Sequence, residues 1–399
     1  MKRTLFAGVA AIALSGASFP AWAEETPAAA PDAGPTALSQ PAMTGPIAAN
    51  PNPFSFDAGP AGTIYVSGIL SGFGQIQTNH ASGDHHNQTD ITNGQAIVQK
   101  TDGLFQFYVQ AGTYSLPSLG TPYMRSSKTV DNFYGAVPVA YAKVAPNDSL
   151  SIQAGKLTTL IGGEYTFSVE NMNINRGLLW NQENAVTRGV QGNYTVGPLA
   201  FSLQWTDGFY SDQLKWLTGS ATYTIDPANS VAFVGGGNFD ESGVQSTATP
   251  LAQNNSQIYN VLYTYNADPI TIAPYIQYSY VPKNVSLGIT HDGSTIGGAL
   301  LAKYSFGSET PLNGVSLPIR FEYISSSGSA SDGTPNLLYG AGSDAWSITF
   351  TPTYQYKLFF ARAEAAYVGT IDATSGSAFG GTGTKKSQAR LTLETGIVF

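Results

Sequence analysis

Arg390-Leu391-Thr392-Leu393-Glu394-Thr395-Gly396-Ile397-Val398-Phe399 alternates polar and apolar side chains up to the last residue of the chain. Leu391, Leu393, Ile397 and Phe399 fall on one face, and Arg390, Thr392 and Glu394 on the other. A period of two predicts a strand with one apolar and one polar side. The pattern recurs upstream: Leu199, Phe201, Leu203 and Trp205 oppose Ala200, Ser202, Gln204 and Thr206. Trp346, Ile348, Phe350 and Tyr354 likewise oppose Ser347, Thr349, Thr351, Thr353 and Gln355. Such faces suit lipid outside and water inside, or the reverse in a soluble sandwich, so alternation alone does not choose between them.

Composition and the start of the chain do choose. Charged residues are 11% of the sequence, less than half the usual quarter. After the first residues no stretch reaches the roughly eighteen consecutive apolar residues of a membrane helix. A membrane barrel reconciles these facts, because its apolar positions are spread over alternate residues. The 44 Gly and 22 Tyr fit tight turns and membrane interfaces. Cys is absent, which excludes a disulfide framework and thiolate metal ligands. Met1-Lys2-Arg3, the apolar run Leu5 to Leu14 and Ala21-Trp22-Ala23 before Glu24 form the pattern of an export signal over residues 1–23. The run is too short to be a spanning anchor, which needs about twenty residues. Without Lys2 and Arg3, 16 basic side chains face 26 acidic ones, a net charge of −10. That sign argues against nucleic acid as a partner. Residues 24–62 carry Pro27, Pro31, Pro35, Pro41, Pro46, Pro51, Pro53 and Pro60 among Ala, Gly and Asn. They read as a disordered periplasmic tether, with a docking arm as the alternative.

From Thr63 to Phe399 sixteen strands can be placed, and the links between them alternate in length. Short links fall at Thr101-Asp102-Gly103, Pro146 to Ser149, Gly197-Pro198, Asp226 to Asn229, Ala267-Asp268-Pro269, Gly307 to Gly314 and Gln355 to Lys357. Long links fall at His80 to Asn93, Ser115 to Asn132, Leu157 to Val186, Gly208 to Trp216, Phe239 to Ser256, Pro282 to Asp292, Ser325 to Asp344 and Thr370 to Lys386. Only an up-and-down transmembrane barrel separates its loops this way, with short turns in the periplasm and long loops outside. Pro138, Pro274, Pro318 and Pro352 lie inside these strands. Because proline breaks a ladder, fourteen and eighteen are the neighbouring even counts. A terminal aromatic on the apolar face also resembles the closing strand of bacterial outer-membrane barrels. The resemblance implies recognition of Phe399 by the barrel assembly machinery and a location in outer-membrane lipid.

One region resembles a known family. Gly155-Lys156-Leu157-Thr158, Gly163-Glu164, Asn173 with Asn175-Arg176-Gly177-Leu178-Leu179, Thr187-Arg188-Gly189-Val190 and Asp207-Gly208-Phe209 look like the central signature of the OmpL-like β-barrel porin family. Asn175 stands where the family has Ser, Arg188 breaks a His-Thr-Gly pattern and Asp207 replaces Asn. The match spans residues 150 to 210 and implies a barrel with a pore, without naming a solute.

The third long link holds Glu164, Glu170, Arg176 and Glu183 beside Phe167, Met172, Ile174, Leu178 and Trp180. So many large apolar side chains predict a loop folded into the lumen as a constriction; a compact extracellular cap is the alternative. On the inner faces of the last strands lie Lys303, Arg320 with Glu322, Arg362 with Glu364, and Arg390 with Glu394. Water in the lumen tolerates them, whereas Arg at the lipid midplane costs about 2 to 4 kcal/mol. They read as an ion-selective lining or as a cross-strand salt ladder. Glu164, Glu170 and Glu183 are expected to oppose the basic wall residues. His80, His85 and His86 crowd the first long link with Asp84 and Asp90, but their spacing fits no metal template, and a solvated tip is the plainer reading. No Gly-x-Ser-x-Gly elbow or other catalytic constellation is present, and no cofactor is expected.

These readings combine into an all-β outer-membrane barrel acting as a passive diffusion channel for small hydrophilic solutes and ions. A channel selective for sugars or carboxylates is the alternative within transport, and a receptor or enzyme using the long loops is the alternative outside it. By analogy with 16-stranded general porins, a homotrimer is the assembly to expect.

Overall fold

The computed structural model describes residues 45–399. The expected signal at 1–23 and the first part of the Pro-rich segment, 24–44, lie outside the described residues. The strands are β1 (Phe54–Asp57), β2 (Thr63–Gln77), β3 (Asn87–Lys100), β4 (Phe105–Tyr114), β5 (Val139–Asn147), β6 (Leu150–Thr158), β7 (Val186–Val196), β8 (Leu199–Thr206) and β9 (Trp216–Asp226). They continue as β10 (Asn229–Asn238), β11 (Gln257–Ala267), β12 (Ile270–Val281), β13 (Gly293–Ser305), β14 (Val315–Ser326), β15 (Asp344–Phe350), β16 (Thr353–Tyr356), β17 (Phe359–Ile371) and β18 (Ser387–Val398).

Consecutive strands pair antiparallel except β15 with β16, and β18 returns to β2, with Leu393 opposite Gly74 and Val398 opposite Ile69. β15 and β16 pair with the same neighbours, β14 and β17, so they are two halves of one strand. From β2 to β18 the chain is therefore a closed 16-stranded antiparallel barrel. Closure gives every strand two neighbours, which is what a sheet in lipid requires.

The prolines mark where the ladder adapts. Pro352 separates β15 from β16; around it, Thr351 donates to the Pro318 carbonyl at 2.9 Å and Ala363 to the Pro352 carbonyl at 3.0 Å. Pro274 keeps its register with Leu300 of β13, while the β11–β12 pairing skips its neighbourhood. Pro138 precedes β5. The first long link is shorter than expected: β3 starts at Asn87, so Asp90 and Asn93 are strand residues. Opposite the step from Ser71 to Gly72 the pairing passes from Asn93 to Ile91, so Thr92 is a bulge in β3.

Facing follows parity. Trp205, Trp346 and Phe350 are exposed on the outer wall, while Gln204, Thr349 and Arg362 are buried inside. Phe399 closes the last strand: its N–H donates to the Gly68 carbonyl at 2.9 Å, and its own carbonyl accepts from Gly68 N–H at 2.7 Å. A Cβ on Gly68 would sit 2.6 Å from the Phe399 ring, so the glycine forms the seat of the terminal aromatic.

The Pro-rich segment, expected as a loose tether, is packed on the barrel where it is described. β1 pairs with Thr63–Val66, the part of β2 that runs beyond the end of β18. Ile47 is 1% exposed. Local composition could not reveal the burial of Ile47, because its cluster includes Phe167, Phe360 and Val398, far along the chain.

Candidate functional site

Residues 159–185, the third long link, turn inward from the ends of β6 and β7 and cross the lumen. Two short 3-10 turns, Ser168–Glu170 and Leu179–Gln182, shape this loop. Phe167, Ile174, Asn175, Arg176, Leu178 and Leu179 are all 0% exposed. A loop lying along an open eyelet would keep one wet face; this one has contacts on both sides. Its apolar side chains account for the burial. Phe167 meets Tyr114 edge-on at 5.4 Å between ring centroids. Met172, Leu178 and Leu179 share a buried cluster with Tyr275, Leu301, Ile324, Tyr339 and Phe379. Tyr339 and Phe379 come from the last two long links, so other loops fold inward as well.

The charged strip on β14, β17 and β18 is where the loop docks. Cross-strand register sets Arg320 beside Thr349, Arg362 beside Glu394, Glu364 beside Thr392 and Arg390 beside Gln77. Arg320 donates to Glu164 at 2.6 Å and to the Asn175 carbonyl at 2.9 Å, and its Nε lies 3.2 Å from Glu322. Glu322 also accepts from Ser347 at 2.6 Å. Arg362 donates to Glu394 at 2.9 Å and to the carbonyls of Asn171 and Ser168. Glu364 accepts from Ile174 N–H and from the Asn175 amide, both at 2.6 Å. Arg390 donates to the Asn175 side chain at 2.8 Å and to Gln77 at 3.0 Å. The wall charges are therefore bonded to the loop's own backbone and side chains. They hold it down more than they face it across a gap.

This changes several expected pairings. Of the three loop acids, Glu164 meets a basic wall residue. Glu170 instead accepts from Phe167 N–H at 3.1 Å, capping its own turn. Glu183 lies against Gly162, and neither of its oxygens has a hydrogen-bond partner among the described residues. Glu394 pairs with Arg362 of the neighbouring strand and not with Arg390. Arg176 stacks on Trp180, 4.3 Å from the ring centroid, and donates to the Thr166 carbonyl. Lys303 stands apart: its register partner is Pro318 near the short link, and it makes no ion pair among the described residues. The three histidines do not join a metal-ligating group among the described residues; Asp84 beside them is held by Gln77 and Gln88.

Ten buried ionisable groups gather here: Glu164, Glu170, Glu183, Glu322, Glu364 and Glu394 with Arg176, Arg320, Arg362 and Arg390. Burial pushes the Glu170 carboxyl up to about 8, against weaker opposing pulls from Phe167 N–H and Arg176. Burial also raises Glu183 well above the usual range, helped by Glu164 and Glu322.

The Asn residues of the loop were not read as anchors from sequence, yet Asn175 bonds Glu364, Thr392, Arg390 and Arg320. Asn173 reaches Thr351 at 2.7 Å. The signal was there: Asn171-Met172-Asn173-Ile174-Asn175 alternates like a strand and lays the Asn173 and Asn175 amides on the wall, while the Asn171 amide bonds Tyr165 and Phe167 within the loop. Tyr275 and Ile47 carried no comparable signal.

A closed barrel with an apolar outer wall, a polar inner wall and an infolded third loop belongs to the outer-membrane porin-like class. The family model described as "Putative beta-barrel porin-2, OmpL-like" matches residues 63–399, and the chain belongs to that family. Its place is the bacterial outer membrane. Among solved structures, outer-membrane-expressed OmpT of Vibrio cholerae is similar at a TM-score of 0.55 and 13% identity, covering 86% of this chain and 99% of the other. The Salmonella typhi OmpF complex with daunomycin is similar at 0.53 and 14%, covering 84% and 98%. At such identities the likeness is one of fold. No curated protein matches the sequence.

Proposed function

We propose that this chain is a passive, non-enzymatic channel for small hydrophilic solutes and ions. The observation that carries the reading is the inner wall. Across β3 to β9 it is lined mainly by neutral amides and hydroxyls, among them Gln95, Gln99, Gln110, Gln191, Asn193 and Gln204, with Lys143 set between Gln106 and Gln153. The buried Arg and Glu side chains of the wall that hold the third loop lie on the opposite side, on β14, β17 and β18. Amides offer both donors and acceptors to a dehydrating solute, and a lumen crossed by a packed loop favours a narrow, size-limited path over a wide one. The trimer form of in-vitro folded Vibrio cholerae OmpT is a similar structure, which supports a homotrimer here.

Single-channel recording in planar bilayers, paired with liposome swelling in sugars of increasing size, tests the proposal. Small stable current steps and a low size cut-off are expected. Folded, heat-modifiable protein that gives no steps and no swelling would favour a receptor using the long loops.

A further inference from the structure

The N-terminal segment reaches into the barrel from the side of the short links. Gln355, in β16 beside such a link, receives the Ala48 N–H at 2.7 Å and donates to the Ala48 carbonyl at 3.0 Å. One residue earlier, Ile47 belongs to the buried cluster that holds Phe167 and Val169 of the third loop and Ile69, Phe360 and Val398 of the wall. Two residues before that, Gly45 donates to the Glu170 carbonyl at 3.2 Å. A Cβ on Gly45 would lie 2.5 Å from the Asn171 oxygen, so the backbones are in direct apposition. β1 then fixes the following stretch to the overhang of β2. The segment thus runs from the periplasmic rim up to the underside of the third loop, anchored by a reciprocal amide pair, an apolar plug and a backbone contact.

We propose that residues 45–48 act as an internal ligand of the lumen, a strap that narrows the periplasmic side beneath the third loop. The path then has two constrictions in series, the strap below and the third loop above. This role rests on the channel reading above. The apolar pocket fits a single branched aliphatic side chain, and Gln355 reads the backbone of the next residue, so the site selects this segment by shape and main-chain hydrogen bonds. Releasing the strap leaves the third loop attached to Arg320, Arg362, Glu364 and Arg390, because none of those contacts involves residues 45–48.

The chain has no cysteine, so single cysteine substitutions report docking directly. In the otherwise wild-type barrel, Ile47→Cys should resist a membrane-impermeant maleimide, while Asn52→Cys at an exposed position should react quickly. Adding Gln355→Ala to the Ile47→Cys variant should make its thiol reactive and enlarge the single-channel step by roughly twofold or more, since clearance sets conductance. Heat-modifiable migration confirms that each variant is folded, and Gln355→Ala places no new bulk in the lumen. The strap is overturned if Ile47→Cys reacts as fast as Asn52→Cys without a second substitution. It is also overturned if the released variant conducts like the wild type. If neither wild type nor the released variant conducts, the channel reading falls and the strap's role with it. A silent wild type with a conducting released variant would support both.

Discussion

At the scale of single residues, the lumen is governed by satisfaction of buried charge. Arg320 is shared by Glu164 and Glu322, and removing one partner of a buried pair costs about 3 to 5 kcal/mol. Arg320→Met should therefore lower the urea midpoint of the folded barrel substantially, whereas Lys303→Met should stay within about 0.5 kcal/mol of wild type. Equal effects would contradict the central place given to Arg320. Glu170 gives a pH prediction. Its carboxyl rises from the ordinary 4.5 to about 8 on folding, so folding favours the protonated form. The stability this supplies is complete below pH 4.5 and is lost as pH rises through about 8. Glu170→Gln should flatten that loss, seen as a smaller fall in Tm between pH 4.5 and about pH 8. A variant that falls as steeply as wild type would assign the pH dependence to another group.

At the scale of elements, the third loop behaves as a packed insertion held by a charged rail. Shortening it between Phe167 and Trp180 removes the Asn and backbone partners of Arg362, Glu364 and Arg390. Conductance should rise and exclusion of larger sugars should relax. The same change exposes the wall behind the loop: Thr349→Cys, on a position that is 0% exposed, should be unreactive to a water-soluble thiol reagent in the full-length protein and reactive in the shortened one. Labelling of Thr349→Cys in both backgrounds would place the loop away from β15.

At the scale of the whole molecule, closure is the decisive event, since an open barrel leaves two unpaired edges in lipid. Phe399 contributes two hydrogen bonds to Gly68 and a ring seated over that glycine. Deleting Phe399 should reduce the yield of heat-modifiable protein inserted in the membrane. Gly68→Val, which forces the ring from its seat, should reduce it in the same direction. Normal yield for both would show that closure depends on the rest of the β18–β2 ladder.

The period-two faces of β8 and β18, the alternation of short and long links, and Phe399 were enough to determine an outer-membrane barrel of about sixteen strands, with fourteen and eighteen left open; the pairing of β15 and β16 as halves of one strand fixed the number. Those signals are local, because side-chain parity and turn length are set by neighbouring residues. The unusual apolar content of the third loop pointed to an inward fold, with an extracellular cap as the alternative. The sequence could not pair Glu394 with Arg362 instead of Arg390, nor leave Glu170 capping its own turn. It could not show that the wall arginines bind the loop's carbonyls. Those outcomes depend on register between distant strands and on where backbone acceptors come to rest. The docking of Ile47 under Phe167 is the clearest case. A Pro-rich composition describes what a segment can do alone, and only the closed barrel supplies the apolar pocket that makes its burial favourable.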